Sequence, residues 1–103
     1  MRAFGIVAFL VLVATSCGDN KTTTAASESP DGKAIYTQYC KLCHGADGQL
    51  GLNMAANLAQ SELDKAGMVE VITHGRNTMQ SYEGILTEAE IDAVADYVLT
   101  LRK

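Results

Sequence analysis

The spacing of hydrophobic and polar positions changes twice along the chain. Residues 3–14 are apolar almost without a break, residues 18–30 are small and polar with no period, and from Asp31 onward apolar residues recur at helical spacing. In this last zone Asp31 is placed to cap a helix carrying Ala34, Ile35, Tyr36 and Tyr39. Residues 45–57 hold Gly45, Gly48 and Gly51 and no apolar rhythm, which predicts a loop. A second helix is expected within residues 61–74, using Leu63, Met68, Val71 and Ile72, with Gly75 as its C-terminal cap. The last helix has the plainest signature. Thr87-Glu88-Ala89-Glu90 is a capping box, and Ile91, Val94, Ala95, Val98 and Leu101 then share one face. Arg102 and Lys103 follow at its C-terminal end, where positive charge suits the helix dipole. No stretch alternates with the period of a strand. The pattern predicts an all-α domain with three main helices.

The first zone reads differently. Met1-Arg2, the apolar run and Thr15-Ser16-Cys17 follow the order of a secretory signal peptide. The run is short for a transmembrane helix, which needs about 20 apolar residues; an uncleaved anchor is the alternative. Val13-Ala14-Thr15-Ser16-Cys17-Gly18 resembles the lipobox of bacterial lipoproteins, with Ala14 where leucine is usual. That resemblance implies cleavage before Cys17, lipidation of its thiol, and more than one acyl chain, which is enough for stable anchoring. The other reading of Cys17, a lone thiol, would be a liability in an oxidising compartment. Residues 18–30, which end in Thr22-Thr23-Thr24-Ala25-Ala26-Ser27-Glu28-Ser29-Pro30, have the composition of a flexible tether. The expected organisation is a lipoprotein signal peptide over 1–16, lipidated Cys17 and linker over 17–30, and a folded domain over 31–103.

Composition then narrows the chemistry. A domain this small seldom builds a sufficient core alone. The chain has no Trp, and its two Phe, Phe4 and Phe9, lie in the first zone. With Cys17 given to lipid, Cys40 and Cys43 are too few for a disulfide framework. They stand instead in Cys40-Lys41-Leu42-Cys43-His44, and C-x-x-C-H is the pattern of c-type haem attachment. Two thiols at this spacing can add across two haem vinyl groups, and the histidine beside them can bind the iron. One covalently fixed apolar macrocycle would also supply the core that the side chains lack.

A sixth iron ligand has four candidates in the domain: Met54, Met68, Met79 and His74. Thioether ligation raises the reduction potential and suits electron transfer. Met79 has the best local context, a polar, turn-rich stretch from Gly75 to Gly84 between two helices. Met68 falls on the apolar rhythm of the middle helix and reads as packing. Met54 lies in the first loop, where it could line the haem edge. His74, near a helix end, is the minor alternative that would give bis-histidine ligation.

These residues together resemble the small class I cytochromes c, from Gly32 to the end of the chain. Gly32 and Tyr36 match the family's first-helix glycine and aromatic, and Gly45-Ala46-Asp47-Gly48 resembles the opening of its post-haem loop. Met79 matches the distal ligand, Tyr82 the aromatic three residues beyond it, and Val94 and Tyr97 the terminal-helix positions that pack on the first helix. The resemblance implies a cytochrome c-like fold wrapped around one covalent haem c. In it Cys40 and Cys43 are thioethers, and His44 and Met79 are axial ligands. Two departures stand out. Gln80 replaces the proline usual after the ligand methionine, and the loop lacks the proline whose carbonyl orients the proximal histidine. A carbonyl of the Gly51-Leu52 region is expected to take over that role. Arg76 is placed either to pair with a haem propionate or to stand as a solvated loop charge.

Charge excludes more than it selects. The net charge is −4, so nucleic-acid binding is not expected. An acidic carrier favours redox partners with basic docking patches. Glu88, Glu90, Asp92 and Asp96 could contribute to docking, although a solvated face explains them as well. The expected function is single-electron shuttling between extracytoplasmic redox partners by a lipid-anchored monohaem cytochrome c on a bacterial membrane. It would be an electron carrier and not an enzyme. The alternatives are a haem-bearing subunit of a dehydrogenase or oxidase, a haem sensor or peroxidase-like protein with a labile Met79, and a C-x-x-C thiol-disulfide oxidoreductase. A zinc module on Cys40, Cys43, His44 and His74 completes them.

Overall fold

The computed structural model describes residues 29–103; the signal segment, Cys17 and residues 18–28 of the linker lie outside the described residues. Four α-helices follow in order: α1 (Gly32–Tyr39), the short α2 (Lys41–His44), α3 (Lys65–His74) and α4 (Glu88–Leu99). Two 3₁₀ turns, Leu52–Met54 and Leu58–Gln60, interrupt the long connection between α2 and α3. Among the described residues there is no strand, and only isolated bridges join Arg76 to Met79 and Glu83 to Leu86.

Local capping sets the helix starts. Asp31 accepts from the backbone N–H groups of Lys33 and Ala34, at 3.0 and 3.2 Å. Asp64 accepts from Gly67 N at 2.8 Å, so α3 begins after it and Leu63 stays outside the helix. At α4 the reciprocal capping box is complete, with Thr87 and Glu90 each bonded to the other's backbone N–H at 3.1 Å. Gly75 closes α3 with φ +75°, its N–H bonded to Val71 O.

The core is a seam between α1, α3 and α4. Ile35, Tyr36, Met68, Ile72, Ile91, Val94, Ala95 and Val98 are buried there, joined by Tyr82 and Leu86 from the connection before α4. Ala34 lies in α1 as expected, on its exposed side. Gly32 lets α1 and α4 approach closely. A Cβ at that position would overlap the Ala93 carbonyl and come within 3.1 Å of Tyr97 Cβ. Tyr36 and Tyr97 meet across the same crossing with ring centroids 5.2 Å apart.

Three expectations change here. Leu101 is half-buried beyond the end of α4, because Thr100 caps the helix. Arg102 and Lys103 do not sit in the last turn of α4; Arg102 donates to the Leu63 carbonyl, and Lys103 N donates to Ala59 O at 2.9 Å. These bonds tie the chain end to the segment before α3. On the outer face, Lys65 lies 3.0 Å from both Asp92 and Asp96; with Glu90 in the capping box, three of the four acids on α4 are engaged within the molecule.

Candidate functional site

The short helix α2 carries the C-x-x-C-H motif out of α1 without a loop, since the Cys43 and His44 N–H groups both bond to Cys40 O. The motif opens onto a cavity of about 1130 Å³, just above the usual range of about 300–1,000 Å³ for ligand sites. Cys40, Cys43, His44 and Met79 all line it, and Met68, Ile72 and Val98 supply part of its apolar wall.

His44 is buried, at 8 % exposure. Its Nδ1 donates to the Ala56 carbonyl oxygen at 3.0 Å. A carbonyl only accepts, so this bond places the proton on Nδ1 and leaves the Nε2 lone pair for a metal. The expectation of a Gly51-Leu52 carbonyl is corrected: the chain bends through left-handed Gly51, Asn53 and Met54 (φ +69°, +52° and +62°) and offers the carbonyl of Ala56. Asn57 fixes the turn that follows by accepting from Ala59 N at 3.0 Å.

The opposite wall comes from the connection after α3. Arg76 and Met79 exchange two backbone hydrogen bonds of 3.0 and 3.1 Å, which folds residues 76–79 into a closed turn with Asn77 at φ +56°. Gly75 makes room for it, since a Cβ there would meet Met79 O at 2.6 Å. Behind the turn, Tyr82 N and Glu83 N bond to Ile72 O and Thr73 O. Buried Tyr82 donates to Tyr39 O at 2.9 Å and stands edge-on to the Tyr39 ring at 5.9 Å. Met79 is half-buried on the cavity wall, Met68 is core, and Met54 is 86 % exposed at the rim.

His74 is not brought to this cavity. It is exposed beside Glu70 and Glu83, at 3.5 and 3.8 Å. Among the described residues no group of three or more His, Cys, Asp or Glu side chains could hold a metal ion, so the four zinc ligands considered are not assembled. Thiol-disulfide chemistry fits poorly as well. Burial, and after it the neighbouring Cys43, pushes the Cys40 thiol up to about 11, whereas reactive cysteines have lowered values.

Tyr36 is 1 % exposed and donates to Gly45 O at 2.6 Å, which braces the backbone just past the C-x-x-C-H motif. Burial raises its pKa to about 12, with smaller contributions from Cys40, Tyr97 and Asp47. Arg76 lines the cavity and is exposed.

The donor set suits a haem c. Two thiols stand at thioether spacing, a histidine has its proton directed away from the metal-binding nitrogen, and a thioether lies on the wall of the same cavity. Comparison with known proteins agrees. Residues 27–98 match the family described as "Cytochrome C oxidase, cbb3-type, subunit III". A "Cytochrome c6-like" protein of Nostoc is 35 % identical over 91 % of this chain and 86 % of its own length. The "Dihydro-heme d1 dehydrogenase" of Pseudomonas aeruginosa is 37 % identical over 95 % of this chain, which spans only 19 % of that protein. Among solved structures, the "KustC0563 c-type cytochrome" is similar with a TM-score of 0.63 and 32 % identity, covering 71 % of this chain and 99 % of that one. The chain therefore belongs to the cytochrome c family, as a small all-α electron-transfer protein with one covalently bound haem c.

Proposed function

We propose that Cys40 and Cys43 are the haem thioethers, that His44 and Met79 are the axial ligands, and that the domain passes single electrons between protein partners outside the cytoplasm. The observation that carries this reading is the shared cavity, which has His44 with its oriented imidazole and Met79 on its lining. Bound haem supplies the one-electron couple. The protein's part is to orient His44 through Ala56 O, to present Met79 from a closed turn, and to surround the couple with apolar side chains. Ligation by histidine and methionine favours a raised potential and leaves no open position for oxygen chemistry.

The cavity mouth supports docking by protein partners. Leu42, Leu52 and Met54 line it and are exposed, while the paired acids of α4 lie on a separate outer face. Contact there would rest on apolar area with little charge pairing. Residues 1–30 fit this picture as a signal peptide over 1–16, a lipid on Cys17 and a tether that holds the domain near a bacterial membrane. Among the described residues no helix is long and apolar enough to cross a membrane. A second reading, a haem-bearing subunit beside an oxidase or dehydrogenase, is favoured by the names of the matched family and of the Pseudomonas relative.

Spectra of the mature protein, made in cells that attach haem, test the assignment. Colour should stay with the polypeptide after denaturation. Met79→Ala should abolish the methionine–iron absorption and leave the haem attached. Colour lost on denaturation, or an unchanged Met79→Ala spectrum, would overturn the corresponding ligands. Labelling with a radioactive fatty acid that disappears in Cys17→Ser would establish the anchor.

A further inference from the structure

The turn that carries Met79 is anchored from behind by α3, through the bonds of Tyr82 and Glu83 to Ile72 and Thr73 and of Ser81 Oγ to Thr73 O at 2.6 Å. Its tip has a different attachment. Thr78 Oγ1 donates to Asn53 O at 2.9 Å, a bond between residues 25 apart in sequence. It joins the turn to the 3₁₀ segment Leu52–Met54, and residues of both segments line the cavity.

Both ends of this bond lie in uncommon backbone. Asn53 and Met54 have φ of +52° and +62°, and Asn77, beside Thr78, has φ of +56°. Such conformations in residues other than glycine persist where surrounding contacts over-determine them. The paired bonds between Arg76 and Met79 make residues 76–79 one closed unit, so a restraint on Thr78 is a restraint on Met79.

We propose that Thr78 is a positioning residue that acts as a latch. Its hydroxyl ties the methionine-bearing turn to Asn53 across the cavity, and so slows release of Met79 from the iron and entry of small exogenous ligands. This rests on the reading of Met79 as distal ligand. The latch is exposed and single, so its effect is a change in rate, with the fold intact.

The test compares the loaded wild type with Thr78→Val, which keeps the shape and removes the donor, and with Thr78→Ser, which keeps the donor. Imidazole binding to the ferric protein should be about three- to tenfold faster in Thr78→Val, matching the loss of one hydrogen bond. Backbone amides of residues 52–54 and 76–79 should exchange with deuterium faster in the same variant. Thr78→Ser should restore both. Equal imidazole rates in wild type and Thr78→Val, with the methionine–iron absorption present in both, would overturn the latch. A wild type without that absorption would overturn the Met79 assignment instead, and unchanged exchange would then overturn the loop contact.

Discussion

His44 Nδ1 lies 3.0 Å from the carbonyl oxygen of Ala56, twelve residues along the chain. A glycine-rich loop without proline thus still provides a fixed acceptor for the imidazole. Such an outer partner raises the basicity of the ligating nitrogen and favours the oxidised metal.

Asn57 tests that relationship, because its side chain holds the turn that presents Ala56 O. Asn57→Ala should loosen the carbonyl and weaken the bond to His44. The reduction potential should then rise, by about 20–60 mV if a bond of about 0.5–1.5 kcal/mol is lost from the oxidised state. Redox titration of both proteins measures the shift; an unchanged or lowered potential contradicts it.

Features encoded within a few residues are legible in the sequence alone. The caps at Asp31 and Thr87 bond to backbone three residues away or less, so side-chain identity is enough to mark them. The C-x-x-C-H spacing of Cys40, Cys43 and His44 stands out in the sequence because the proposed covalent chemistry demands it. Apolar rhythm places Leu63 and Leu101 in helices, yet both lie outside. Asp64 and Thr100 set nearer ends, and periodicity does not locate boundaries. The Ala56 acceptor leaves no mark in the sequence because any residue offers a carbonyl; its position follows from the left-handed bend at Asn53 and Met54. The contacts of Arg102 and Thr78 join distant segments to backbone oxygens, for which no sequence pattern exists.

Gly32 is the tightest point of the helix packing. Gly32→Ala would drive a methyl into the Ala93 carbonyl group, whose carbon lies 2.7 Å from the built Cβ. Helix propensity favours alanine by up to about 1 kcal/mol, but overpacking costs typically about 1–3 kcal/mol and here meets backbone. Net destabilisation of about 2 kcal/mol is expected, a fall in Tm of roughly 8–16 °C for a domain of this size. Calorimetry of the loaded protein checks it, and an unchanged or raised Tm would show that α1 can move away freely.

Docking through the cavity rim predicts a selective defect. A Leu52→Gln, Met54→Gln double variant removes exposed apolar side chains that make little of the core. Its absorption spectrum and its reaction with a small inorganic oxidant should match wild type. Electron transfer to a protein acceptor should slow about tenfold, a loss of roughly 1.4 kcal/mol at the contact. Raising the ionic strength should change the wild-type rate little. A strong salt dependence with an intact rate in the double variant would move docking to the acidic face of α4.

Tyr36 predicts how the protein responds to alkali. Its hydroxyl is buried against Gly45 O, and burial raises its pKa from 10.0 to about 12. The folded state therefore keeps a proton that the unfolded chain gives up above pH 10. Stability from this group is complete below pH 10 and falls as pH rises towards 12, by up to about 2–3 kcal/mol. Tyr36→Phe removes the titration. It also removes one donor to Gly45 O, which keeps the Gly48 N–H at 3.3 Å as a partner, so the variant should start only about 1 kcal/mol below wild type. Urea unfolding at pH 8, 10 and 11.5 should show the wild-type lead shrinking by pH 10 and reversed by pH 11.5. Parallel curves across that range would mean that Tyr36 ionises alike in both states and that its burial does not govern the alkaline limit.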